Sequence, residues 1–380
     1  MQFLVIGWLA LEITGSSAKF GLVISLYGGP NVAFLLVAGI IADRFNRRHI
    51  LIITQVSAGI IIAVLTCLYL ADFVVFWHVC IASALLGTVQ SLNMPARMSL
   101  VADLVPEESI LDGVAMQNAS QHAGRIIGPP LAGVIIDVWG LGISLAMLSF
   151  VYMISSASLT RIQHSQRYSQ LNARSAVSNF KEGLAYIRDN QILFTVTVIM
   201  IGFAAFGMAH NQVLPAIAKD ILGSSATEVG LLLLGSAIGA VAGNFLLPIL
   251  GVKHAYRGFI ASIVIFVVLL SLFAWSPWFW ASWLLILGVG VCAMGFAWPL
   301  ATAIAHMQSN PAVRGRVMGV LQFAPAAHFL TAYPLAFTAQ RIGWGFAITG
   351  SALLCLAILI WFASLNKRAT SLVNTSTPWS

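Results

Sequence analysis

The chain has 380 residues, 59% hydrophobic and only 8% charged, far below the roughly 25% charge that covers a soluble domain. Its net charge of +7 comes from arginines and lysines at the ends of long apolar runs. No basic stripe interleaves with aromatics, so the balance excludes nucleic acid as a partner and points to a lipid bilayer.

The apolar runs fall at about 1–14, 20–42, 50–71, 73–96, 113–138 and 141–160. After a break they resume at about 191–217, 227–250, 258–275, 278–305, 317–340 and 343–365. Lipid offers nothing to an unpaired peptide group, so each run is predicted to be a helix. Prolines within them, Pro95, Pro129, Pro130, Pro299, Pro325 and Pro334, suit membrane helices that bend. The expected fold is all-α, with a six-helix bundle over 1–160 and another over 191–365. Residues 161–190 form a basic linker and 366–380 a tail. In the linker, Val177, Phe180, Leu184 and Ile187 recur at helical spacing, which predicts an amphipathic helix along the membrane surface. The alternative is a plain solvated linker.

Orientation follows from the basic residues. If the loop after the second run faces the cytoplasm, alternation puts fifteen of nineteen lysines and arginines inside and three outside. That bias sets both termini in the cytoplasm. Cys67, Cys80, Cys292 and Cys355 each stand alone in an apolar run, without metal or disulfide spacing. The start lacks a charged segment and a cleavage site, so it does not read as a signal peptide.

The loop after the second run reads "GIIADRFNRRHI", with Gly39, Asp43, Arg44, Arg47 and Arg48 as G-x-x-x-D-R-x-x-R-R. An anchor needs basic residues in any order, and has no need of the acid or the glycine. This pattern resembles the signature loop of the major facilitator superfamily, and the six-plus-six plan fits it over essentially the whole chain. "NMPARMSLVADLVPEESILDGVAMQN" and "GRIIGPPLAGVI" look like the branch of bacterial siderophore exporters. In the second stretch Gly124, Gly128, Pro129 and Gly133 are similar to the helix-5 motif of drug/proton antiporters. The resemblance implies an exporter of a small organic molecule, siderophore-like or drug-like, working by alternating access in a bacterial inner membrane. It implies a conformational latch in which Asp43 faces the start of helix 11 near Arg314 and Arg316, the alternative being that Asp43 only caps its own loop. Gly39, without a side chain, is expected to admit another helix closely. An import direction, or a member that does not transport, stays open. The resemblance also implies about two dozen residues ahead of "GWLALEITGSS". Met1–Thr14 would reach only about 21 Å as a helix, so helix 1 is expected to be incomplete at its start.

No P-loop occurs, so transport is expected to be driven by an ion gradient, with the proton as candidate coupling ion, or to run downhill. The acids fall in loops or near run ends, and the antiporters' helix-4 arginine is missing where this chain reads "IASALLG". His122, His210 and His328 are left as mid-membrane groups, each a packing residue or a relay. Arg125 lies deep in helix 5, where an arginine costs about 2.5–3.5 kcal/mol on insertion scales. Asn118, His122 and Arg125 share one helix face and are expected to line a substrate cavity. The alternative for Arg125 is a bond to helix carbonyls or to a polar group of helix 1. Partners are expected to be the bilayer and a small, anionic substrate, with no cofactor, and the chain is expected to act as a monomer. Paired acids or H-E-x-x-H at membrane depth are absent from the sequence, so an enzyme is not expected.

Overall fold

The computed structural model describes residues 1–162, 173–250, 255–321 and 323–365, with side chains at 35–36, 40, 42–44, 102, 107, 110–111, 173–177, 249–250 and 365 outside the description. The first bundle is α1 (Gln2–Thr14), α2 (Ser17–Arg44), α3 (Arg47–Leu70), α4 (Phe76–Leu104), α5 (Ile110–Trp139) and α6 (Leu141–Thr160). The linker helix is α7 (Ala173–Asp189). In the second bundle, α8 (Gln191–Gly202) and α9 (Ala209–Leu222) form one crossing, joined by a π-helical turn at Phe203–Gly207. Then come α10 (Ala226–Leu250) and α11 (Ala255–Ala274). The next crossing is α12 (Phe279–Gly290) and α13 (Trp298–Gln308), around a second π-helical turn at Val291–Ala297. α14 (Arg314–Leu321) and α15 (Ala327–Ile342) share a crossing broken by a 3-10 turn at Ala324–Ala326, and α16 (Trp344–Leu365) ends the bundle.

Side chains set the helix ends. Asn46 accepts from the backbone N–H of Arg48 and His49 at 3.0 and 3.3 Å, so α3 starts with only Phe45 and Asn46 between it and the end of α2. Asn190 caps α8 in the same way, at 3.1 Å to both Ile192 and Leu193. Gly15 and Gly223 close α1 and α9 with left-handed φ of 59° and 61°. Eight helical spans among the described residues are long and apolar enough to cross a membrane. α2 and α5, 28 and 30 residues long, add length but carry glycine, proline and polar residues on the faces that meet the other bundle.

The bundles meet along two seams, α2 against α15 and α5 against α10. Small residues set both. A side-chain carbon on Gly21 would lie 2.6 Å from the Ala336 methyl, and one on Gly133 2.3 Å from the Ala226 carbonyl oxygen. Close backbone approach replaces the hydrophobic effect, which does not drive helices together inside lipid.

The linker helix does not lie alone on a surface. Its apolar face, with Phe180 and Ile187, packs onto Val317, Val320 and Leu321 of α14 and onto Leu193. Gly183 lets the α7 backbone come against the Arg316 carbonyl, where an added Cβ would stand at 2.6 Å. The first half of the predicted linker, 163–172, and the tail beyond residue 365 lie outside the described residues.

Candidate functional site

Each helix has a basic end and a bare end. The basic end collects the loops holding Arg47, Arg48, Arg161, Arg188, Arg257, Arg314 and Arg316. Hydrogen bonds join the bundles directly toward the bare end. There Ser25 Oγ donates to the Phe329 carbonyl at 2.8 Å and accepts from the Tyr333 N–H at 3.0 Å. Ser16 Oγ donates to Gln340 at 3.1 Å, and Ser17 Oγ to Asp220. Asp137 accepts the N–H groups of Ala226 and Thr227 at 3.1 and 2.8 Å. These bonds tie the bundles together at the bare end, and the exposed face of α5 with Asn118 and Arg125 lies on the basic-end side of them.

A ring cluster stands at the head of the cleft. Phe3 of α1, Tyr27 of α2 and Phe329 of α15 lie with ring centroids 4.8 to 5.7 Å apart. His328 lies against Phe329 at 4.4 Å and is nearly buried. Arg125, His210 and His328 stand on α5, α9 and α15, and no hydrogen bond or ring contact joins any two of them among the described residues. Arg125 has no hydrogen-bond or ion-pair partner among the described residues, and it is exposed. It is bonded neither to helix carbonyls nor to α1. Asn118 is exposed and His122 half-exposed on the same face of α5. His210 is engaged differently. Its Nδ1 bonds the Gly207 carbonyl at 2.6 Å in the π-helical turn, and its ring packs on Phe266 at 5.7 Å. It holds that turn in shape.

Acids are absent from this depth. All twelve lie in connections, in α7 or close to a helix end. The cleft therefore offers a cation and no fixed anion. Besides it, a cavity of about 430 Å³ lies between the basic halves of α4 and α5. Arg97, Gln117, Ser120 and Gln121 line it, and Arg97 Nε and Gln117 Oε1 are buried there without partners.

The signature loop divides its work. Arg47 pairs with Asp103 at the end of α4, and Arg48 Nε donates to the Leu159 carbonyl at 2.9 Å, with a second bond to Thr160. Both tie the loop to its own bundle. Asp43 and Arg44 end α2, but their side chains lie outside the described residues. α14 begins at Arg314. Arg314 Nε is buried with no described partner, and Arg316 pairs with Glu182 of α7 at 2.5 Å. Sequence reasoning missed Glu182, since nothing in the chain links residues 134 apart. Gly39 departs from expectation. No described atom comes within 4 Å of where its side chain would begin, so it serves no close packing in this conformation. In the helix-5 motif, Pro129 and Gly133 lie on the α10 seam, with Pro129 O 2.7 Å from a Cβ placed on Gly230. Gly128 faces Met1, and Gly124 faces open space.

The comparisons with known proteins agree. The family model described as "Transmembrane secretion effector" matches residues 1–379. Macrolide efflux protein A of Streptococcus pyogenes is 24% identical over 94% of this chain and 90% of its own length. The enterobactin exporter EntS of Escherichia coli is 24% identical over 81% and 73%. Among solved structures, a point-mutant form of the nucleoside transporter NupG superposes with a TM-score of 0.76 at 14% identity, covering 96% of this chain and 95% of that one. With the six-plus-six helices, the two seams and a family match over the full described length, the chain belongs to the transmembrane secretion effector family of major facilitator transporters, built as a multi-pass membrane protein.

Proposed function

We propose that the protein exports a small organic anion from the cytoplasm by alternating access, driven by an ion gradient. Arg125 carries the reading. It is a cation halfway along a membrane helix, open to the cleft and without a protein partner, and no acid stands at its depth. A cationic substrate would meet only repulsion there, whereas a carboxylate or catecholate would supply the missing counter-charge. The rings of Phe3 and Phe329, 5.6 Å apart, offer an apolar surface between the bundles. Efflux is supported by the relatives, which are named for macrolide efflux and enterobactin export. The export direction uses the orientation with the basic end in the cytoplasm, so the cleft of this structure is open to the side from which cargo is loaded.

The direct test is substrate-dependent efflux from loaded bacterial cells expressing the chain. The panel comprises a tricarboxylate siderophore, a catecholate siderophore and a macrolide, which carries a basic amine. Efflux of an anion, abolished by a protonophore, is expected. Efflux of the macrolide alone would overturn the anionic reading while leaving a transporter.

A further inference from the structure

The seal at the bare end contains a carboxylate that crosses from one bundle to the other. Asp137 lies in the last turn of α5, and its two oxygens take the N–H groups of Ala226 and Thr227, the first two residues of α10. A helix start leaves its first N–H groups without intrahelical partners and carries partial positive charge. α10 has its own cap as well. Ser225 Oγ accepts from the Glu228 N–H at 3.3 Å, and Glu228 Oε2 accepts from the Ser225 N–H at 3.0 Å. The local cap thus covers Ser225 and Glu228, and the two N–H groups between them are satisfied only by the opposite bundle. The approach is prepared beneath. Gly133 and Gly230 bring the two backbones together, and any side chain at either would meet a carbonyl oxygen at 2.3 or 2.7 Å.

We propose that Asp137 is the lock of the bare-end gate. Its negative charge on the start of α10 holds this side shut while the basic side is open, and the bond breaks each time the cleft turns outward. The inference rests on the alternating-access reading. It assigns to the bare end a carboxylate-on-helix-start contact of the kind expected of Asp43 and α14 at the basic end. A lock of this kind acts through charge, so Asn, which keeps the size and one acceptor, should fail where Glu succeeds.

The test uses single cysteines in full-length purified protein with Cys67, Cys80, Cys292 and Cys355 replaced. Ala332→Cys reports the bare-end seam, where Ala332 is fully buried. Asn118→Cys reports the cleft toward the basic end, where Asn118 is exposed. The reading is the labelling rate with a water-soluble maleimide. Asp137→Asn is expected to raise the rate at 332 about tenfold and to lower that at 118. Asp137→Glu should stay within about twofold of the parent at both. Unchanged rates in Asp137→Asn, or rates that rise together at both sites, would overturn the lock. Gly133→Ala separates this from failure of the underlying reading, since its methyl group wedges the same seam apart. If the wedge moves the two rates in opposite directions while Asp137→Asn does not, the lock alone is wrong. If neither does, the rocking of the bundles is wrong as well.

Discussion

Arg47 and Asp103 form a two-pronged ion pair, with Arg47 Nη1 reaching both carboxylate oxygens at 2.6 and 2.7 Å. It joins the start of α3 to the end of α4 within one bundle, and both side chains are largely buried. The signature loop therefore contains two separate devices. Arg47 and Arg48 fasten the loop to its own bundle, and Asp43 is the group proposed to act across the divide. Asp103→Asn should strand the Arg47 guanidinium in a poorly solvated place, where breaking a buried pair costs about 3–5 kcal/mol. The expected outcome is a detergent melting temperature several degrees below the parent, with part of the loss regained in the exchanged pair Arg47→Asp with Asp103→Arg. A melting temperature equal to the parent's would show that water or lipid headgroups already screen this pair.

Asp43→Asn tests the second device. It keeps the size and removes the charge that would face the start of α14, where Arg314 begins the helix. A charge–helix contact is worth about 0.3–1 kcal/mol and up to about 2 when partly buried. Transport is expected to fall at least fivefold, with membrane abundance within about twofold of the parent. The measurement is efflux rate per unit of protein by immunoblot. Full transport in this variant would reduce Asp43 to a topological marker.

Topology rests on the fifteen-to-three bias of basic residues. Ala312 lies exposed at the basic end and Ala71 exposed at the bare end. In a cysteine-free background, Ala71→Cys should react with a membrane-impermeant maleimide in intact cells. Ala312→Cys should react only after the cells are opened. The reverse pattern would invert the protein and turn the export proposal into import.

Much of the architecture could be read from the chain because lipid imposes long uncharged helices, and the runs mark them directly. The helical spacing of Phe180, Leu184 and Ile187 likewise announced α7. Its seat on α14 was hidden, because an amphipathic face does not say whether lipid or protein covers it. The breaks were half visible. Pro325 marks the interruption between α14 and α15, and Pro299 stands just past the π-helical turn at Val291–Ala297, whereas the turn at Phe203–Gly207 has no proline to announce it. Arg125 stood out because a lone cation in an apolar run is costly. Asp103, Glu182 and Asp137 did not, because their partners are 56, 134 and about 90 residues away along the chain. The helix-5 motif was legible as a pattern, but only the structure shows that Pro129 and Gly133, and not Gly124, meet the other bundle.

Arg125 separates binding from scaffolding most sharply. The side chain has no described partner, so a scaffold role has no bond to point to. Arg125→Gln removes the charge and keeps some hydrogen-bonding capacity. Arg125→Lys keeps the charge and loses the planar fork that grips a carboxylate with two parallel bonds. Removing a membrane charge relieves an insertion cost of about 2.5–3.5 kcal/mol. If substrate binding is the task, Gln should therefore melt at or above the parent's temperature in detergent, while losing more than about nine-tenths of anion efflux. Lys should insert equally well and transport at an intermediate rate, its defect appearing as a raised half-saturating concentration more than a lowered maximum. Melting several degrees lower in Gln, in step with lost transport, would make Arg125 a structural residue after all. Parent-like transport in both variants would remove it from the site and leave the cleft without an anion-binding group.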